Sequence, residues 1–149
     1  MKNFVVLLAI FSCVLTSEPN GFNENISWTD YSSAKSDSSK PTLVILHKSW
    51  CAACKSLKAK LADSEEFEKL SQQFSMVNIP ESDNLHDLPE FNVDGAYIPR
   101  LFFLNSQGEI MSEITNENGN PKYQYYYYNA DTVIESMKKV AKNLAKEEL

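Results

Sequence analysis

Two sulfurs, Cys51 and Cys54 in the run Trp50-Cys51-Ala52-Ala53-Cys54-Lys55, stand three residues apart. Only a thiolate attacks a disulfide, so such a pair does chemistry when its first member is held as an anion. The residues before it, Thr42 to His47 (TLVILH), form a continuous apolar, β-branched run that predicts a strand buried on both faces. The residues after it, Ala52 to Ala62, predict a helix with Leu57 and Leu61 on one face. The pair therefore falls where a buried strand turns into a helix. Unpaired N–H groups and the macrodipole at a helix start favour negative charge there. Cys51 is expected to attack and form a mixed disulfide, and Cys54, one turn deeper, to displace the product. Lys48 and Lys55 add positive potential.

Two other readings of the pair stand beside this one. A CxxC is half of many zinc sites, but there is no second CxxC and the only histidines are His47 and His86. The pair could also form an inert structural disulfide; the flanking Trp50 and the strand-to-helix position argue against that. No metal and no bound cofactor is expected.

The elements that position the pair follow from periodicity and turn chemistry. Ile26 to Lys35, with Trp28 and Tyr31, predicts a short helix. Ser64 is placed to cap a further helix carrying Phe67, Leu70 and Phe74 on one face. Met76 to Ile79 and Leu101 to Leu104 predict short strands, with a long acidic loop from Pro80 to Gly95 between them. Asn105-Ser106-Gln107-Gly108 predicts a hairpin turn into a strand from Glu109 to Ile114. The last helix is expected from Ala130 to about Ala145, with Val133, Met137, Val140, Ala141 and Leu144 as its apolar stripe. The order predicts a single α/β domain with a central mixed sheet flanked by helices.

The ends of the chain bear on its compartment. Met1-Lys2-Asn3 followed by the apolar run Phe4 to Leu15 predicts a secretory signal peptide over 1–17, cut near Thr16 or Ser17. The run is too short to span a bilayer, so no membrane insertion is expected after its removal. A buried N-terminal helix fits the same pattern, and a lipoprotein signal ending at Cys13 fits less well because of Phe11. Removing the leader removes Cys13, the third cysteine of the chain. Lys146-Glu147-Glu148-Leu149 (KEEL) resembles the KDEL retention signal, which predicts residence in the endoplasmic reticulum lumen and a retention receptor as partner. The domain is then expected over 18–145, with 18–40 as a polar N-terminal extension and 146–149 as the tail. The net charge of −6, with no basic cluster, argues against a nucleic-acid surface. Asn25-Ile26-Ser27 is a glycosylation sequon.

The segments HKSWCAACKSLK, YIPRLFFL and NENGNPKYQYYYY together resemble the small endoplasmic-reticulum thioredoxin-like proteins of the anterior gradient group. The similarity runs from about Trp28 to the C-terminus. It implies a thioredoxin fold and protein-disulfide reductase or oxidase activity on secretory client proteins through mixed disulfides, with glutathione as a co-substrate. Cys51 and Cys54 match the family's redox pair, and Ile98-Pro99 matches its cis-proline step facing the active site. Trp50 and Tyr97, beside these motifs, complete the expected substrate-binding set. A chaperone-like client-binding module with secondary redox activity is the alternative function. Three positions depart from related patterns: Ala52 stands where the family has Gly, Ala53 where protein disulfide isomerases carry His, and Ile45 where thioredoxins carry a buried acid. A less oxidising pair is expected from the missing His. Tyr123 and Tyr125 to Tyr128 are expected to support the sheet edge and last helix, with a client surface as the sharper alternative. Glu81, Asp83, Asp87, Glu90 and Asp94 are expected to be a solvated loop rather than a calcium site.

Overall fold

The computed structural model describes residues 16–149; the expected leader lies outside them except for Thr16 and Ser17, and Cys13 lies outside entirely. The elements run α1 (Tyr31–Ser36), β1 (Thr42–Leu46), α2 (Ala52–Ala62), α3 (Glu65–Ser71), β2 (Ser75–Ile79), β3 (Arg100–Leu104) and α4 (Ala130–Glu147). The three strands are ordered β2-β1-β3. β1 pairs in parallel with β2, Val44 opposite Val77, and antiparallel with β3, Val44 opposite Phe102. This is the expected mixed sheet, with β1 buried on both faces.

The pleat divides β1 between two cores. Leu43 and Ile45 join Leu57 and Leu61 of α2, Phe67 of α3 and Val133, Met137 and Val140 of α4. Val44 and Leu46 join Tyr31 and Ala34 of α1, Phe91 and Tyr125 on the other face. Of the predicted stripes, Leu57, Leu61, Phe67, Val133, Met137 and Val140 are buried, Leu70 and Leu144 are partly buried against them, Ala141 is half-buried, and Phe74, also buried, follows the end of α3. The Ser64 hydroxyl accepts the Phe67 amide at 3.1 Å, capping α3 as expected. The 80–95 segment contains two 3₁₀ turns, Asn84–Asp87 and Pro89–Phe91.

Three expectations are corrected. The helix expected over 26–35 is shorter: α1 begins at Tyr31, capped by Asp30, whose carboxylate accepts the Ser33 amide at 3.0 Å. Before it, residues 24–26 turn and Trp28 and Thr29 join the sheet edge: Trp28 bridges Met76 in parallel and the Thr29 amide bonds the Met76 carbonyl at 2.9 Å. The strand expected over 109–114 is a single bridge, Leu104 to Ile110. Its turn is present, with Gly108 at φ +78° and its amide on the Asn105 carbonyl at 2.9 Å. A Cβ there would meet Lys35 Cγ at 2.7 Å. The chain leaves the strand path after Met111 because Ile114 turns into the helix-lined core. The last helix continues beyond Ala145, so Lys146 and Glu147 of the expected tail form its final turn and Glu148 its cap.

The 18–40 extension contributes to the core despite its polar composition. Phe22, Ile26 and Trp28 are buried with the residues of α2 and β2. The Asn23 side chain donates to the Ala62 carbonyl at the end of α2, at 3.3 Å. The extension thus holds the far end of the helix that carries the cysteines.

Candidate active site

Cys51 is the N-cap of α2, with extended backbone (φ −80°, ψ 117°). Its sulfur accepts the amide N–H of Cys54 at 3.2 Å. This is where a serine or aspartate oxygen normally caps a helix, so the sulfur takes an N–H that would otherwise lack a partner. The i, i+3 spacing read from the sequence is therefore also a capping geometry. Cys51 is 8% exposed and Cys54 1%. Burial, with the hydrogen bond to Cys51 next, pushes the Cys54 thiol well above its ordinary range, and the Lys48 amide opposes this. The pair is asymmetric: one sulfur slightly exposed on a helix start, the other beneath it and held neutral.

The chain returns to this sulfur 47 residues later. The Ile98-Pro99 peptide bond is cis, and the Ile98 carbonyl lies 3.9 Å from Cys51 Sγ, which donates to it in the thiol form. Trp50 is 69% exposed, with the Lys48 ammonium 5.3 Å from its ring centre. Ile98 and Tyr97 are half-buried and Pro99 is buried. The residues expected around the substrate are thus gathered at one end of the sheet.

The positions of three polar residues at this end are not legible from the sequence. Glu81 belongs to the loop expected to be solvated, and it is exposed, but it is also tied to the loop that carries the cysteines. Its carboxylate accepts the Ser49 amide at 3.0 and 3.1 Å and also the Ser49 hydroxyl. These bonds from Ser49 hold the Glu81 carboxyl down at about 2. Glu81 follows β2 as Ser49 follows β1, so the parallel pairing of the two strands is the signal that places them together. Asp94 accepts the Tyr97 hydroxyl at 2.6 Å and the Gln124 amide at 2.8 Å. It thereby ties the YIPR segment to the tyrosine run. Arg100 is buried, and its guanidinium donates to the Phe91 and Gly95 carbonyls at 2.5 and 2.9 Å. It fixes the loop that delivers Ile98. In the NENGNP segment, the Asn116 side chain donates to the Tyr126 carbonyl at 2.8 Å and its amide to the Gln124 carbonyl at 2.8 Å.

The tyrosine run divides by side. Tyr125 and Tyr127 are buried, as expected for core support. Tyr123 and Tyr128 are each 45% exposed, and Tyr126 is half-buried on the side of the cysteines. Burial first, then the Cys51 and Cys54 sulfurs, push the Tyr126 phenol up from its ordinary value. Only Tyr125 and Tyr127 of this run therefore act wholly as support.

Ile45 is fully buried among apolar side chains, so the position of the thioredoxin acid is dry. Two residues on, His47 is 2% exposed, with Nε2 3.2 Å from the Asn78 side-chain oxygen. Its ring meets Phe22 edge-on at 4.9 Å, and Nδ1 has no hydrogen-bond partner among the described residues. Burial lowers the His47 pKa from 6.5 to about 4, against the opposing effect of the hydrogen bond to the Asn78 oxygen. Among the described residues no group of three or more His, Cys, Asp or Glu is placed to hold a metal ion.

A pH dependence follows. An unfolded imidazole takes its proton near 6.5, whereas folded His47 waits until about 4. Between these values the unfolded chain binds more protons, so stability falls as pH drops through this window and levels off below it. At about 1.4 kcal/mol per unit the loss is about 3 kcal/mol. His86 is lowered in the same direction by burial. Thermal denaturation from neutral to acid pH is expected to show this drop, and a His47→Gln variant a flatter curve. An unchanged slope in that variant would assign the drop elsewhere.

Comparison with known proteins gives the family. The family described as thioredoxin-like matches residues 27–106. Anterior gradient protein 3 of Xenopus tropicalis is 32% identical over 128 residues, covering 80% of this chain and 74% of that protein. The human anterior gradient protein 2 homolog is 30% identical over 132 residues, covering 85% of this chain and 73% of that protein. Among solved structures, a disulphide isomerase from Xylella fastidiosa Temecula1 aligns with a TM-score of 0.46 at 21% identity, over 74% of this chain and 85% of that one. The chain belongs to the thioredoxin-like family, and within it to the anterior gradient proteins.

Proposed function

We propose that this protein is a thiol–disulfide oxidoreductase acting on secretory proteins in the endoplasmic reticulum lumen. The observation that carries the reading is the Cys51 sulfur at the N-cap of α2, accepting the Cys54 amide beside the Ile98 carbonyl. The Cys51 thiolate attacks one sulfur of a client disulfide, forming a mixed disulfide and releasing the other client sulfur as thiolate. Cys54, after giving up its proton, attacks Cys51. The Cys51–Cys54 disulfide forms, the client leaves as a dithiol, and two electrons pass to it. The reverse sequence oxidises a client. Burial keeps Cys54 protonated until the mixed disulfide forms, which favours capture over premature closure of the pair. Glutathione, as a small thiol, is a fitting co-substrate to regenerate either state.

The compartment rests on the leader pattern over 1–17 and the KEEL sequence of Lys146–Leu149, read by a retention receptor. No helix among the described residues is long and apolar enough to cross a membrane. Asn25 and Ser27 of the sequon are exposed, so a lumenal chain presents an acceptor for glycosylation. With both cysteines present, the motif resembles that of thioredoxin domain-containing protein 12. The exposed Trp50 and tyrosine rings also suit the second reading, a client-holding module with secondary redox activity.

Trapping tests both. A full-length Cys54→Ser chain expressed in secretory cells is expected to accumulate reducible mixed disulfides with client proteins, and Cys51→Ser none. Sensitivity of the trapped chain to a glycosidase, lost in Asn25→Gln, reports passage through the lumen. Equal client capture by both serine variants would favour the holding module.

A further inference from the structure

Three tyrosines, Tyr97, Tyr126 and Tyr128, are linked ring to ring beside the reactive sulfur. Tyr97 precedes Ile98, whose carbonyl is 3.9 Å from Cys51 Sγ. The Tyr97 ring lies 6.3 Å from that of Tyr126, and Tyr126 lies 6.4 Å from Tyr128. Tyr123 braces Tyr97 edge-on at 4.9 Å. Each ring stands on fixed backbone. The Tyr97 hydroxyl donates to Asp94 and accepts the Tyr125 amide at 3.1 Å. The Tyr126 carbonyl is held by Asn116, and the Tyr128 carbonyl by Lys60 Nζ at 3.1 Å.

The spacing identifies what fits. Side chains on one face of an extended strand repeat every two residues, about 6.6–6.8 Å. The ring-to-ring steps of 6.3 and 6.4 Å match that repeat. Stacked and edge-on rings offer apolar contact at little entropic cost, because they are already ordered. Charge narrows the class. Lys60 stands at the Tyr128 end, so a basic residue there meets like charge, whereas the Asp94 carboxylate stands at the Tyr97 end.

We propose that Tyr97, Tyr126 and Tyr128 form a binding track for an extended segment flanking the reactive cysteine of a protein disulfide, with apolar or aromatic side chains at alternate positions. This rests on the redox reading of Cys51 and names the substrates that reading serves best. A small disulfide such as that of glutathione reaches Cys51 but not the track.

The test uses pre-reduced full-length protein in single turnover. Two peptides of identical composition carry one cysteine in a mixed disulfide with a chromogenic thiol. One has three phenylalanines at alternate positions beside the cysteine, the other has them consecutive. Protein dithiol plus mixed disulfide yields protein disulfide, free peptide thiol and free reporter. The alternating peptide is expected to react about tenfold faster than its isomer at low concentration. The ratio should fall to near one in Tyr126→Ser/Tyr128→Ser and persist in Tyr126→Phe/Tyr128→Phe. If the double serine variant loses its circular dichroism spectrum, Tyr128→Ser alone, at a 45% exposed ring, carries the test. A ratio near one in the unmodified protein, or one that survives the serine changes in a folded variant, overturns the track. Reporter release by Cys51→Ser at the unmodified rate overturns the redox reading instead.

Discussion

Replacing Cys51 with serine is expected to reduce disulfide exchange to the uncatalysed background, a loss on the order of a thousandfold or more. The serine hydroxyl can still cap α2 and accept the Cys54 amide, so the helix start should survive. A hydroxyl is not ionised near neutral pH, however, and no nucleophile remains. Cys54 cannot substitute for it, being 1% exposed and held protonated by burial. Cys54→Ser should behave differently. First attack persists, one equivalent of client thiol is released per protein, and turnover stops at the mixed disulfide. Stopped-flow release of a reporter thiol, with mass spectrometry of the adduct, separates the two variants. Turnover by Cys51→Ser at more than a few percent of the unmodified rate would place the chemistry elsewhere.

The second large effect lies far from the sulfurs. Trp28→Ala is expected to cost about 3–5 kcal/mol of stability, the range for truncating a buried aromatic. Trp28 is 2% exposed, packs against Phe22 at 5.9 Å and donates its indole N–H to the Asn23 carbonyl at 2.9 Å. Alanine removes the packing and leaves that carbonyl without its donor. Trp28→Phe keeps most of the ring and should cost less, about 1–3 kcal/mol for the unsatisfied group. The loss should reach the site, because the same segment places Phe22 under the Lys58 ammonium at 5.1 Å and caps α2 through Asn23. Urea unfolding of both variants, read together with Cys51 alkylation rates, measures the two consequences. A cost below about 1 kcal/mol for alanine would make 16–30 an appendage rather than part of the domain.

The sequence by itself determined what local spacing determines. The i, i+3 sulfurs, the apolar run before them and the stripe of Leu57 and Leu61 after them specify a strand, a turn and a capped helix within about 20 residues. The α2 boundaries and the Ser64 cap of α3 were legible for the same reason: caps and helical periods are nearest-neighbour properties. The resemblance carried YIPR and NENGNP, but not their work. Only the tertiary structure decided that Ile98 meets Cys51 across 47 residues and that Glu81 holds Ser49. It also decided that Asn116 and Asp94 aim alternate tyrosines outward, and that a polar N-terminal segment buries Phe22 and Trp28. The single bridge at Ile110 belongs to the same class, since a strand pattern says which residues are apolar but not which core will take them. Local preferences are set by each residue's own backbone and near neighbours, whereas these pairings exist only after the sheet has closed and brought distant loops to one end.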